Sequence, residues 1–250
     1  MQAHTIDQVI SFLDQIIKDE VAKESKLAYF PILYREVTKA IKGAIDNKEF
    51  EDNPRMEHLD VVFANRYLQA YTQFNDSANP SSCWAVSFAQ GYRFWPIVLQ
   101  HLLLGINAHI NLDLGIAAAE VAGDNIEELK TDFYKINDIL SSMVDSVQAD
   151  IDKVSPIIGI MDRLAGKLDE RLVDFSIQLA RDGAWEFACH YALADNGSKQ
   201  ALVEKRDASI AWLGKDIAKP GILLSVIAGF VKVFEWKKVS RVAPILEDLS

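Results

Sequence analysis

Apolar positions recur every three to four residues along nearly the whole chain, and nowhere does the strict alternation of a half-buried strand take over. Ile6, Val9, Ile10, Leu13, Ile16, Ile17 and Val21 predict an opening amphipathic helix, and Thr5 with Gln8 has the spacing of a capping box. A second helix is expected over 27–44, with Phe30, Leu33, Val37, Ala40, Ile41 and Ala44 inward and Pro31 in its first turn. A third, over 56–74, should bury Leu59, Val62, Phe63 and Tyr67 before the breaker cluster at 75–80.

Ser81 or Ser82 is expected to cap a fourth helix carrying Trp84, Phe88 and Tyr92, and Pro96 then separates or kinks the fifth, over 97–122. Asp124 and Glu127 form another capping-box pattern, followed by Phe133, Ile136, Leu140, Met143, Val144, Val147, Ile151 and Val154, with Pro156 as the stop. A short turn of helix at 157–164, a long helix over 168–194 that contains Gly183, and a turn at 195–197 follow. Helices over 199–217, 222–234 and 239–249 complete the chain. The pattern predicts an all-α fold: a single domain, 1–250, built as a multi-helix bundle around a central buried helix.

Composition supports that picture. With 250 residues, 50% of them hydrophobic and 25% charged, the chain can bury a core without disulfides or metal staples. A net charge of −10 repels a phosphate backbone, so no nucleic-acid partner is expected. Cys83 and Cys189 stand beside aromatic and small residues, as buried free thiols do. The first residues lack a basic and apolar leader pattern, which points to the cytoplasm. The longest apolar runs, 97–104 and 221–231, fall short of the roughly 18 residues that cross a bilayer.

The fifth helix carries the chemistry. At about 100° per residue, His101, Gly105, His109, Asp113 and Glu120 fall at about 0°, 40°, 80°, 120° and 100°, one third of the helix surface. Gln100, Asn107 and Asn111 cluster on nearly the opposite side, and the remaining residues are apolar. Buried ionisable groups are costly unless paired, hydrogen-bonded or metal-bound, so this stripe asks for a partner. His101 and His109 lie roughly 12 Å apart along the axis and cannot share an ion, whereas His109 and Asp113 can.

One reading is a divalent-metal site, such as zinc, with His109, Asp113, Glu120 and His190 as ligands, activating water to hydrolyse an ester or phosphoester. Glu186 and His190, one helical turn apart, would close the site, and His101 would support it. A second reading is a metal-free pocket in which Trp84, Tyr92, Phe94 and Trp185 enclose an apolar small molecule while His109, Asp113, Asn107 and Asn111 orient it for binding, isomerisation or cyclisation. A third makes the His109–Asp113 pair purely structural within an interaction protein. Glu36, His58, Asp60 and Arg66 are further polar candidates beside apolar runs. Gly105 is expected to open space between the histidines.

The common enzyme signatures are absent: there is no Glu-x-x-His pair, Cys-x-x-Cys, His-Glu-x-x-His, Gly-x-Ser-x-Gly or phosphate-binding glycine loop. The run from His101 to Leu114, with Met56 to Asp60 and Phe63 to Tyr67 upstream, resembles an uncharacterised bacterial family of helical proteins marked by an N-A-H-I-N-x-D-L helix. That resemblance covers most of the chain and implies no activity. Gly105, His109 and Asp113 are also similar to the Gly-x-x-x-His-x-x-x-Asp helix of the zinc-dependent phospholipase C and single-strand nuclease group, which implies zinc ligation by His109 and Asp113. That group carries a Pro-x-His after the motif and an N-terminal tryptophan ligand, where this chain has Leu114-Gly-Ile and Met1-Gln-Ala.

Near the C-terminus Lys232, Lys237, Lys238 and Arg241 alternate with Phe234, Trp236 and Val239. An inward-packing last helix with its lysines in water is the expectation, and contact with an anionic membrane the weaker alternative. A small-molecule partner is expected, and the sequence leaves the oligomeric state open.

Overall fold

The segment with the most continuous apolar character becomes the axis of the molecule. In the computed structural model, which describes residues 1–123, 125–155 and 177–247, Val98–Ala122 forms one helix whose apolar window is 83% buried. It has the length and composition of a membrane span, yet it is the core helix of an all-α bundle. Around it stand α1 (Ile6–Ala22), α2 (Tyr29–Asp46), α3 (Asn53–Asn75) and α4 (Ser82–Gln90). The central helix is α5; then come α6 (Lys130–Val154), α7 (Ile177–Leu193), α8 (Asn196–Ala218), α9 (Gly221–Phe234) and α10 (Val239–Leu246). Short 3-10 turns, Lys26–Ala28 and Ile126–Leu129, precede α2 and α6, and no strand occurs among the described residues.

α5 packs against α2, α3, α4, α7 and α8. Its buried Leu102, Leu104, Leu112, Leu114 and Ile116 each contribute about 1.5–3 kcal/mol by leaving water. Two glycines let neighbours approach. Phe30 of α2 occupies the place a side chain at position 105 would take, and a Cβ at Gly115 would stand 2.7 Å from the Ala184 carbonyl oxygen of α7. Gly105 therefore opens no space: the gap that the sequence promised is filled by an aromatic ring.

Two apolar clusters result. The larger joins α1, α3, α4, the middle and C-terminal half of α5, and α7, and the smaller gathers Ile17, Tyr29, Ile32, Val98, Val154 and Val242 at the opposite end. In α2 Tyr29, Ile32, Tyr34, Thr38, Ile41 and Ala44 are buried, and the predicted Phe30, Leu33 and Val37 are half-buried and pack against the two clusters. Cys83 is buried and Cys189 half-buried; neither forms a disulfide.

Helix starts follow local and remote rules. Thr5 accepts from the Gln8 amide at 3.2 Å, while the Gln8 side chain reaches past the cap to the His4 amide at 2.7 Å. α4 starts after Ser81, but neither Ser81 nor Ser82 supplies the cap oxygen. The Asp207 carboxylate of α8 does, accepting from the Ser82 and Cys83 amides at 2.6 and 2.8 Å. In the same way Asp132 accepts from the Glu51 and Asp52 amides, and Glu235 from the Val98 amide at the head of α5. The predicted turn at 195–197 is instead the start of α8, where Asp195 accepts from the Gly197 and Ser198 amides at 2.9 and 3.0 Å.

Lys232 and Glu235, paired at 2.7 Å and both buried, tie the end of α9 to the Pro96 carbonyl and the start of α5. α10 buries Val239, Val242, Ala243 and Leu246, as the inward-packing expectation for the last helix has it. The expected helical turn at 157–164, the start of the helix at 168, the Pro156 stop and the Asp124 cap lie outside the described residues.

Candidate functional site

α5 is not uniform. Residues His109–Leu114 form a π-helical segment between two α-helical stretches, so one extra residue is wound into that turn. The extra residue rotates everything beyond it, and the even 100° step that put Glu120 on the histidine face fails there. Glu120 is exposed.

Within the segment, His109 Nδ1 lies 3.2 Å from Asp113 Oδ2, both side chains almost wholly buried. The Trp84 indole N–H of α4 donates to the same oxygen at 2.8 Å, and Arg66 Nε of α3 donates to Oδ1 at 3.0 Å. The carboxylate is thus surrounded by donors from three helices. An acceptor in that position fixes the imidazole proton on Nδ1, which leaves Nε2 as a bare acceptor. Burial lowers the His109 pKa, with the Asp113 hydrogen bond and charge opposing and Arg66 reinforcing, so the ring is neutral near pH 7.

Aromatic rings enclose the imidazole. Phe63 stacks flat against it, centroids 3.6 Å apart at 8°, and Tyr34 meets it edge-on at 4.5 Å. Phe30, Tyr67 and Trp84 complete the cage at 5.7, 6.2 and 6.0 Å. Two buried polar atoms of this ring cluster have no hydrogen-bond partner, His109 Nε2 and the Tyr34 hydroxyl, and the buried Asp60, whose charge acts on Tyr34, has an unpartnered Oδ2. Burial, with the Glu57 charge adding to it, pushes the Asp60 carboxyl up to about 7. Burial and the charges of Asp60 and Asp113 push the Tyr34 phenol well above its usual range, so it stays a donor.

The other predicted site residues lie elsewhere. His101 is buried beside Tyr29 at 5.8 Å, with Nε2 unpartnered; burial and the charges of Lys26 and Lys232 hold its pKa at about 3. Asn107 donates to the Ile210 carbonyl at 3.0 Å and accepts from Asn111 at 3.1 Å, while the Asn111 carbonyl accepts from Arg206 at 2.9 Å. The Asn107 amide and the Asn111 backbone carbonyl thus dock α8 onto α5, with the Asn111 amide bracing Asn107. Trp185 packs on Phe133 and Tyr134, Tyr92 and Phe94 are exposed, and Glu186 and His190 are exposed on α7. Glu36 pairs with Arg35 and Lys39, and His58 is exposed.

The proposed ligand set His109, Asp113, Glu120 and His190 is therefore not brought together, and no group of three or more His, Cys, Asp or Glu able to hold an ion occurs among the described residues. The donors already on both Asp113 oxygens, one of them a guanidinium, oppose a cation there as well. Sequence reasoning missed Tyr34. The available signal was its position one turn after Phe30 on an otherwise apolar face.

Against known proteins, one family model matches residues 6–220, that of a family of unknown function, DUF5995. No curated protein matches the chain. No solved structure matches it either.

Proposed function

The chain belongs to the DUF5995 family, and on that footing we propose, from the geometry of its centre, that it is a small-molecule enzyme in which the Asp113–His109 dyad is the general base. The observation that carries this is the buried Nε2 of His109, a lone pair with no partner on a ring whose other nitrogen is oriented by a carboxylate. That is how an imidazole is prepared to take a proton from water or from a carbon acid. Asp60, protonated up to about pH 7, and the Tyr34 hydroxyl would supply protons or hydrogen bonds to the opposite side of a substrate. The aromatic cage favours an apolar molecule, and hydrolysis of an uncharged ester suits such a site better than that of a phosphoester. No metal is needed for these steps.

Access requires movement, since the rings pack directly on the imidazole. Arg66, whose side chain is 28% exposed, connects Asp113 to solvent and marks the side from which the cage would open. The test is turnover of short-chain p-nitrophenyl esters by the wild type and by His109→Asn. The variant keeps an N–H for Asp113 and loses the free lone pair. Wild-type turnover at least about a hundredfold above the variant supports the reading, as general-base catalysis contributes about 10²–10⁴-fold. Equal background rates in both would sink it.

A second reading is favoured by one observation: the donors to Asp113 come from α3, α4 and α5, so the carboxylate ties three helices together. Under it the cluster is an internal joint with no substrate. Large losses of stability in both His109→Asn and His109→Ala, without any turnover to lose, would be its signature.

A further inference from the structure

α9 is the one apolar helix of the described fold that the bundle leaves bare. Of its residues with described side chains only Val231 and Lys232 are buried, and it forms no extensive packing with any other described element. Ile222, Val226, Phe230 and Val233 are 89%, 66%, 56% and 62% exposed. At about 100° per residue all four fall within about 80° of one another, a single stripe. Phe234, Trp236 and Trp95 are exposed too, with Trp95 lying against α9 at Gly229. Leaving this contiguous apolar stripe in water is unfavourable.

The charge beside this stripe is opposite to that of the whole chain. Lys219 precedes α9, and Lys237, Lys238 and Arg241 follow it, all exposed. From Gly221 to Leu246 the sequence holds a single acid, Glu235, and it is buried and paired with Lys232. A chain of net charge −10 thus presents apolar residues framed by lysines at one place. At 14 residues α9 is about 21 Å long, too short for the roughly 30 Å hydrocarbon core of a bilayer. Apolar helices of this length, bordered by tryptophan and lysine, lie in the headgroup region. A second copy of the chain fits less well, because two such faces would oppose lysine to lysine.

We propose that α9, with Trp95 and Trp236 at its margins and Lys219, Lys237 and Lys238 against the headgroups, docks the protein on the surface of an anionic lipid bilayer. The bundle stays in water, and the tether at Lys232 and Glu235 keeps the inserted helix attached to the start of α5. The segment lies beyond residue 220, where the family match ends, so the docking belongs to this part of the chain and does not depend on the function proposed above.

The experiment is co-sedimentation of the full chain with phosphatidylcholine vesicles, with and without phosphatidylserine. The wild type is expected to pellet only with the anionic vesicles, and less at high salt. Val226→Asp with Phe230→Asp should abolish binding. Lys237→Glu with Lys238→Glu changes only exposed charges and should leave the melting curve unmoved; it should weaken binding at least about tenfold, since each basic residue near an anionic surface counts for about 1 kcal/mol. Wild-type protein that stays in the supernatant, or pellets equally with neutral vesicles, overturns the proposal. So does a dimer in vesicle-free light scattering that Val226→Asp with Phe230→Asp dissociates, which would assign the face to a second copy.

Discussion

Asp60 and His109 titrate with opposite consequences for stability. Burial holds the folded Asp60 carboxyl at about 7, well above the ordinary aspartate range, so the folded state keeps a proton that the unfolded chain gives up. Stability is fully present below about pH 4 on this account and declines as pH rises to about 7, by at most about 4 kcal/mol at 1.36 per unit. His101 and His109 have lowered pKa values, so their contribution is present above about 6.5 and is lost as pH falls below it. Asp60→Asn should therefore gain on the wild type between pH 4 and 7 and hold that gain at pH 8, as read by urea unfolding at each pH. A gain that does not change with pH would show that Asp60 is ionised in the fold. If Asp60 also serves as the acid in turnover, the same substitution removes the alkaline limb of the pH–rate profile. The pairing of His109 with Asp113 was legible from their four-residue spacing. Arg66 was named in the sequence only as an isolated candidate and Trp84 as a pocket wall around His109 and Asp113; that both donate to the Asp113 carboxylate, from 47 and 29 positions away, is encoded by no local pattern. One consequence is that Asp113→Ala strands three donors and should destabilise by about 3–5 kcal/mol whether or not the site is catalytic. Only substitutions at His109 separate the two readings.

For elements, periodicity located the helices and missed what happens inside and between them. The register of α1 and α3, the burial of α5 and the inward face of α10 follow from apolar spacing. The π segment does not, because an extra residue in a turn leaves the composition of an apolar run unchanged, and it moved Glu120 off the histidine face. The glycines separate propensity from packing. Gly43 in α2 has open space around the position of a Cβ, so Gly43→Ala should stabilise by about 0.5–1 kcal/mol through the unfolded chain and helix propensity. Gly115→Ala has the same propensity gain but meets the α7 backbone, and should lower the melting temperature. If both alanines stabilise, α5 and α7 are not in close contact at that crossing.

For the whole molecule, the buried pair Lys232–Glu235 attaches the end of α9 to the start of α5, beside the packing of α10 on the smaller core cluster. Glu235→Ala leaves a buried ammonium without its partner and frees the Val98 amide and the Ser155 hydroxyl, at a cost of about 3–5 kcal/mol. Adding Lys232→Met should recover the larger part, because the stranded charge is then gone; urea unfolding of both proteins decides it. A single-variant loss below about 1 kcal/mol would mean that the pair is open to solvent.

The remote carboxylates that finish the starts of α4 and α5 also set a schedule for synthesis. Asp207 lies 125 positions after Ser82, and Glu235 lies 137 after Val98. At roughly 5–20 residues per second, a ribosome exposes Ser82 about 6–25 s before the oxygen that caps it has been made. During that interval α5, a long and largely apolar helix, has left the ribosome with its first amide unpaired and without its α8 neighbour. Nascent chains of this protein therefore have a defined period of dependence on whatever shields apolar helices in the cell, and it ends when Glu235 emerges.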